Sequence, residues 1–301
     1  TETLEVEEGQ CPDPEAMPEV PEMPFSYFVG WFDANGKAVD PATLPVTQDA
    51  AYTARWGRKV AEFLDTDSHD AYISGYSNGM FRPGRNVTRA EAAQLLYNLL
   101  RERTGEPASF TDVKDNDWFA SAAYEMSSLG ILSGYGDGSF RPNRAITRAE
   151  FVKMAVGCDT LLQVGLPFSD VPADSWAFPY VATACFKGWI GGYGDGTFKP
   201  DAPITRAEAV TVLNKMLGRK GAASIKRLAY VKKFYDLFPE SWYYAQVVEA
   251  STAHTHETYG DTERWTSYEE DHSTAESGWV NDGGNRYYLD GETRNFLRGQ
   301  Q

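Results

Sequence analysis

The sequence predicts a mainly α fold. Three helical repeat units are expected around a pseudo-threefold axis, with a small β-rich module ahead of them and an irregular tail behind. Three observations predict it. One segment occurs three times, as ISGYSNGMFRPGRNVTRAE at Ile73–Glu91, LSGYGDGSFRPNRAITRAE at Leu132–Glu150 and IGGYGDGTFKPDAPITRAE at Ile190–Glu208; such self-similarity is the mark of a repeat architecture. Each copy ends in Thr-Arg-Ala-Glu and runs into an apolar stripe at helical spacing, such as Ala92, Leu95, Leu96 and Leu99. The halves of the repeat are also out of register, which suggests closure of the chain on itself.

The elements follow in order. Residues 1–57 read as a separate module, with short strands at Phe28–Phe32 and Ala51–Trp56 and a turn at Ala34-Asn35-Gly36. The CPDPEAMPEVPEMP stretch before them is a Pro-rich loop or linker. Residues 58–253 hold the repeats. A first half, Phe-x-Asp then Trp then a helix, occurs at Phe110-Thr111-Asp112…Trp118 and at Phe168-Ser169-Asp170…Trp176. The second half is a Gly-rich turn and a helix. The full repeats span 110–157 and 168–217. The copy at 72–100 lacks a first half, and a first half without its second appears late, at Phe234-Tyr235-Asp236…Trp242 through Ala253. Closure of 234–253 onto 72–100 is expected; a decayed fourth repeat is the alternative. In the tail, 254–301, the segment GWVNDGGNRYYLDG suggests one hairpin.

Composition narrows the function. A chain of 301 residues with 42% hydrophobic residues is ample for packed cores. Its net charge of −15 argues against a nucleic-acid partner. No apolar run is long enough to span a membrane. No signal-peptide pattern opens the chain at Thr1, an abrupt start that fits a mature form or a fragment. Cys11, Cys158 and Cys185 form neither a disulfide framework nor a zinc pattern. Cys158 falls where the other copies have Leu99 and Met216, so it is expected in the core.

The repeated residues have separate physical jobs. Thr-x-x-Glu is a capping box, with Thr88, Thr147 and Thr205 as N-caps and Glu91, Glu150 and Glu208 reaching back. Arg89, Arg148 and Arg206 stand at the first helical position, where a cation opposes the helix dipole at about 0.3–1 kcal/mol. Free amides, a positive helix end and a guanidinium together make a receptor for a carboxylate or phosphate. A structural pair with a carboxylate such as Asp112 or Asp170 is equally open on physics alone. Asn78-Gly79, Asp137-Gly138 and Asp195-Gly196 are turn pairs, and one Asp per loop is too few for calcium. Phe81, Phe140 and Phe198 read as core. Tyr76, Tyr135 and Tyr193 fit core or a flat face for a sugar. Trp118, Trp176 and Trp242 suit a groove wall, although core packing is the commoner fate of Trp. Arg82, Arg141 and Lys199 precede each loop Pro and add positive charge near the helix starts.

Catalytic groups do not recur. The 4 His are unrepeated, and His254-Thr255-His256-Glu257 matches no familiar zinc spacing. No metal site, cofactor or catalytic residue is expected.

GYGDGTFKPDAPITRAE with an upstream Phe-x-Asp…Trp resembles the S-layer homology (SLH) domain, over about Tyr72–Ala253. The resemblance implies a three-pronged assembly that anchors bacterial surface proteins. It implies non-covalent binding of secondary cell-wall polysaccharide, often through a pyruvylated sugar, in grooves between repeats. Carried over by motif, Arg89, Arg148 and Arg206 meet the acidic substituent and Trp118, Trp176 and Trp242 line the grooves. The first copy departs, with Ser77-Asn78 in place of Gly-Asp. YFVGWFDANGKAVDPATLPVTQDAAYTARW resembles an internalin B-repeat β-grasp module, and GWVNDGGNRYYLDG a cell-wall-binding hairpin repeat. A non-enzymatic, extracellular wall anchor is therefore expected, its partners the wall polysaccharide and other surface-layer proteins. The alternative is a self-assembling array component or scaffold without glycan binding. An enzyme would have to reside in the tail, near His254, His256 and His272.

Overall fold

The computed structural model describes residues 3–17, 26–34, 37–105, 108–220, 225, 228, 231, 234–259, 262–270, 278–282, 285–289 and 296–298. The readings that involve Asn35-Gly36, much of the Pro-rich stretch, His272 and Gly283-Gly284 lie outside the described residues.

Strand β1 (Tyr27–Phe32) pairs antiparallel with β2 (Ala38–Val39) and β3 (Thr53–Gly57). A short helix, α1 (Val60–Phe63), leads into the repeats. There α2 (Arg89–Leu99) packs on α3 (Ala120–Ser128), α4 (Arg148–Gly157) on α5 (Phe178–Phe186), and α6 (Arg206–Met216) on α7 (Tyr244–Ser251). The tail departs from the expected irregular segment with one hairpin. It carries a hairpin of β4 (His254–Tyr259) and β5 (Thr262–Tyr268), then an antiparallel sheet of β6 (Gly278–Asp282), β7 (Asn285–Leu289) and β8 (Phe296–Arg298). The first hairpin carries no strand signal in its sequence, because its buried positions among the described residues are His254, Glu263 and Trp265. Two polar residues on the inner face erase the apolar alternation that marks a strand.

Each repeat helix starts where the sequence places it. The hydroxyl of Thr88 accepts from the Glu91 amide at 3.2 Å, and the Glu91 carboxylate accepts from the Thr88 amide at 2.9 Å. Thr147 with Glu150 and Thr205 with Glu208 form the same reciprocal pair. Just upstream, an aspartate clips the loop. Asp112 accepts from the amides of Phe140 (2.6 Å) and Arg141 (2.8 Å), and Asp170 from those of Phe198 (2.8 Å) and Lys199 (2.7 Å). Asp236, from the late segment, does the same for Phe81 (2.8 Å) and Arg82 (2.6 Å) of the first copy. Phe234 packs on Phe81 with ring centroids 5.3 Å apart, as Phe110 packs on Phe140 at 5.1 Å. The second amide of each clip belongs to a residue in the left-handed region: Arg82 (φ 58°), Arg141 (φ 57°) and Lys199 (φ 59°). That conformation costs about 1–2 kcal/mol without glycine; two charge-assisted hydrogen bonds to one carboxylate offset it.

The copies meet in a closed cycle of hydrogen bonds. The amide of Val87 donates to the Ile204 carbonyl, that of Ile204 to Ile146, and that of Ile146 back to Val87, at 2.9, 3.1 and 2.9 Å. All three side chains are buried, as are Phe81, Phe140 and Phe198 around them. Cys158 is buried in the same core. The N-terminal sheet is tied to this body by Arg58, which donates to the carbonyls of Gly157 and Leu129 at 2.8 Å each.

Candidate functional site

Capped helix starts position Arg89, Arg148 and Arg206, and each guanidinium extends to a neighbouring copy. Arg89 Nε donates to the Phe140 carbonyl (2.8 Å) and Nη2 to that of Ser133 (2.8 Å). Arg206 does likewise with Phe81 (2.9 Å) and Ser74 (2.8 Å). Arg148 Nε donates to Phe198 (2.9 Å), and its Nη1 to the Glu208 carboxylate (2.8 Å). The three residues are only 4%, 7% and 7% exposed. The cation that opposes its own helix dipole is thus held by groups of an adjoining unit. Asp112 and Asp170 are not its partners, because both carboxylates are committed to loop amides. Burial lowers the pKa of Arg89 and Arg206 from the ordinary guanidinium value.

The tyrosines sit beneath these cations. The guanidinium carbons of Arg89, Arg148 and Arg206 lie 4.9, 5.0 and 5.0 Å from the ring centroids of Tyr135, Tyr193 and Tyr76. Arg141, Lys199 and Arg82 cover the same three rings at 4.0, 4.1 and 4.7 Å. Tyr76 and Tyr135 are half-buried and Tyr193 is exposed. The tryptophans are not core residues. Trp118, Trp176 and Trp242 are 65%, 54% and 65% exposed, which is unusual for the largest apolar side chain and places three indoles on the surface. Apolar spacing could not separate them from core aromatics. Each stands just ahead of its helix, outside the stripe that faces inward.

Around Arg89 these groups line an open cleft of about 220 Å³, together with Ser133, Tyr135, Glu150, Lys153, Met154 and Trp176. Lys153 Nζ lies 5.9 Å from the Trp176 ring centroid. Here Glu150 is engaged by Arg144 at 2.7 Å, so Arg89 keeps Nη1 without a hydrogen-bond partner among the described residues. In the first copy Arg85 occupies the same position and engages Glu91. The third copy has Ala202 there. Its Glu208 turns to Arg148 instead, so that guanidinium is neutralised internally. Lys153 is also replaced, by Gln94 in one copy and Thr211 in the other. Of the three related positions, only the Arg89 cleft carries a lysine here.

A second cluster lies outside these grooves. Sequence spacing placed His254 and His256 beside Glu257, but Glu257 is exposed. The tertiary structure brings in His69, 185 residues away from His254, together with Glu263 and Glu249. The ligand-type atoms of His69, His254, His256 and Glu263 all lie within 4.8 Å of one another. Burial alone would lower the pKa of His254; Glu249 and Glu263 outweigh it and hold the imidazole at about 9. The one signal in the sequence was rarity, since three of only 4 His converge here.

Residues 62–93, 109–152 and 167–210 match the family model of the S-layer homology domain. Over 210 residues the chain is 35% identical to a cellulosome-anchoring protein of Acetivibrio thermocellus, a match that covers 64% of this chain and 44% of that protein. Over 219 residues it is 32% identical to cell surface glycoprotein 1 of the same organism, covering 67% of this chain and 9% of the relative. Over 178 residues it is 33% identical to an amylopullulanase of Thermoanaerobacterium thermosulfurigenes, covering 55% of this chain and 9% of that one. The chain thus spans less than half the length of these relatives, and what it shares with the amylopullulanase is a small part of it.

Proposed function

We infer from a chain that carries three S-layer homology repeats that it resides at the bacterial cell wall, held there by those repeats as a non-catalytic anchoring module. In this reading residues 58–253 form one pseudo-threefold, three-pronged body. The module at 1–57 and the tail at 254–301 are separate parts, the former a surface-repeat module. The ligand is an acidic secondary cell-wall polysaccharide, with a pyruvylated sugar as the type of group received between repeats.

One observation carries this reading: the Arg89 cleft combines a buried guanidinium that retains an uncommitted N–H, a second cation at Lys153 and the exposed ring of Trp176. A carboxylate on a sugar needs a fixed cation and donor, and the sugar ring needs a flat apolar face. Arg89, Trp176 and Tyr135 are the residues assigned to the ligand in this cleft. Arg206 with Tyr76 and Trp118, and Arg148 with Tyr193 and Trp242, are the related sets. The third set is the weakest, since Glu208 already holds Arg148.

The test is calorimetric binding of purified secondary wall polymer by the wild type and by Trp176→Ala and Lys153→Gln, both changes at the cleft surface. Weakened binding with unchanged thermal stability is expected. Equal affinity in all three proteins would remove this cleft from the function.

A further inference from the structure

We propose that His69, His254, His256 and Glu263 bind one divalent first-row transition ion, zinc above others, as a structural clamp between the two ends of the repeat region.

The donor atoms converge. His69 Nδ1 lies 2.8 Å from His254 Nε2, 3.0 Å from a Glu263 oxygen and 3.0 Å from a Glu249 oxygen. His254 Nε2 lies 3.1 Å from the same Glu249 oxygen, and His256 Nδ1 3.7 Å from Glu263. His69, His254, Glu249 and Glu263 are buried, while His256 closes the outer side half-buried.

The nitrogens are placed for a shared cation. His254 Nδ1 sits 2.8 Å from the Thr252 carbonyl, so that nitrogen carries hydrogen and Nε2 is the one turned to the cluster. A metal ion binding there takes the place of the Nε2 proton, which is released. Glu263 Oε1 is buried, 3.0 Å from His69 Nδ1, and its other oxygen accepts from the Lys220 amide at 3.0 Å. A buried carboxylate oxygen and three imidazole nitrogens gathered at one point form a ligand set for a metal ion.

The donor set selects the ion. Three imidazoles and one carboxylate suit zinc and its neighbours, whereas calcium and magnesium take oxygen ligands. Four protein ligands complete a tetrahedron and leave no open position, so the site is structural rather than catalytic. Ligation at zinc–nitrogen lengths spreads the two closest imidazole nitrogens by about half an ångström. An outer layer is in place: the Thr252 carbonyl orients His254, Trp265 stacks on its ring at 3.7 Å, and Trp265 Nε1 donates to Glu249 at 3.2 Å. Such outer partners fix ligand geometry.

The position explains the role. His69 precedes the first repeat copy, whereas the other ligands stand on the hairpin that follows α7. The His254 amide also donates to the His69 carbonyl at 3.2 Å. A metal here pins the late segment that carries Asp236 and Phe234 beside the first copy they complete. The inference is independent of glycan binding.

The experiment uses the full chain, dialysed against a chelator and then against metal-free buffer. Zinc is titrated by calorimetry, with metal analysis and thermal unfolding in parallel. One equivalent bound, and a rise in Tm on zinc addition, are expected. His256→Gln, at the half-buried ligand, and Glu263→Gln should weaken binding by at least about tenfold with unchanged far-UV circular dichroism. Cobalt should give the visible spectrum of a four-coordinate site. A folded wild-type protein that binds no zinc and shows no Tm shift overturns the proposal, and the cluster is then an imidazolium–carboxylate network. Zinc affinity unchanged in both variants also overturns it.

Discussion

Replacement of Arg144 by Ala tests the charge logic of the Arg89 cleft. Arg144 donates to Glu150 at 2.7 Å and to the Tyr135 hydroxyl at 2.6 Å, and its side chain is 40% exposed. It leaves Glu150 no demand on Arg89. Arg144→Ala recreates the third copy, where Ala202 leaves Glu208 to take Arg148. Two losses then coincide: one cation leaves the cleft, and Glu150 is free to occupy Arg89. A unit charge about 6 Å away contributes roughly 0.7 kcal/mol in water and nearly 3 kcal/mol at an effective dielectric of 20. Because this rim is partly exposed, the lower part of that range applies, and about 1 kcal/mol corresponds to roughly fivefold weaker binding. The assay is calorimetric titration with acidic wall polymer at low and high salt. The wild-type advantage should shrink at high salt, since screening acts over about 10 Å at 0.1 M. The reciprocal change, Ala202→Arg, should release Arg148 and raise affinity. If Arg144→Ala binds as the wild type does and Ala202→Arg gains nothing, the charge argument is wrong.

Further outcomes follow from the local chemistry. Thr147→Ala removes the cap hydroxyl that accepts from the Glu150 amide, so urea unfolding should show a loss of about 0.5–2 kcal/mol. Glu150 has its pKa lowered below 4.5: burial alone would raise it, but the Thr147 amide and Arg144 outweigh that effect. Its stabilisation is therefore complete above about pH 4.5 and lost as the pH falls through the lower folded value. The Tm difference between wild type and Glu150→Gln should accordingly be present at pH 7 and fade under acid. Burial pushes the Cys158 thiol up to about 12, while Cys11 is exposed. A thiol reagent at neutral pH should thus label Cys11 in the native chain and Cys158 only after unfolding, as peptide mass mapping would record.

Much of the architecture was legible because it rests on short-range rules. Thr-x-x-Glu dictates a helix start wherever it precedes an apolar stripe, since the hydroxyl and carboxylate serve amides within one turn. Asp137-Gly138 marks a turn because Gly138 takes a φ of 79° at no steric cost. The recurrence of Phe-x-Asp and of the Gly-rich loop exposed the two-part unit, although the partner of each Asp was not legible. The Asp112 carboxylate, open to an arginine on sequence grounds, instead holds two amides some 29 residues on.

What the chain alone determined, then, is the content of each unit: where helices begin, which aromatics recur and which cations stand at the helix starts. Only the tertiary structure decided which neighbours those groups meet. Whether Arg148 is neutralised depends on Glu208, 60 positions away. Whether three histidines are a scattered minority or a cluster depends on His69 meeting His254 across 185 positions. Local dihedral and hydrogen-bond preferences act over a few residues, whereas these meetings are imposed by the packing of whole helix pairs. No periodicity in the sequence encodes that packing.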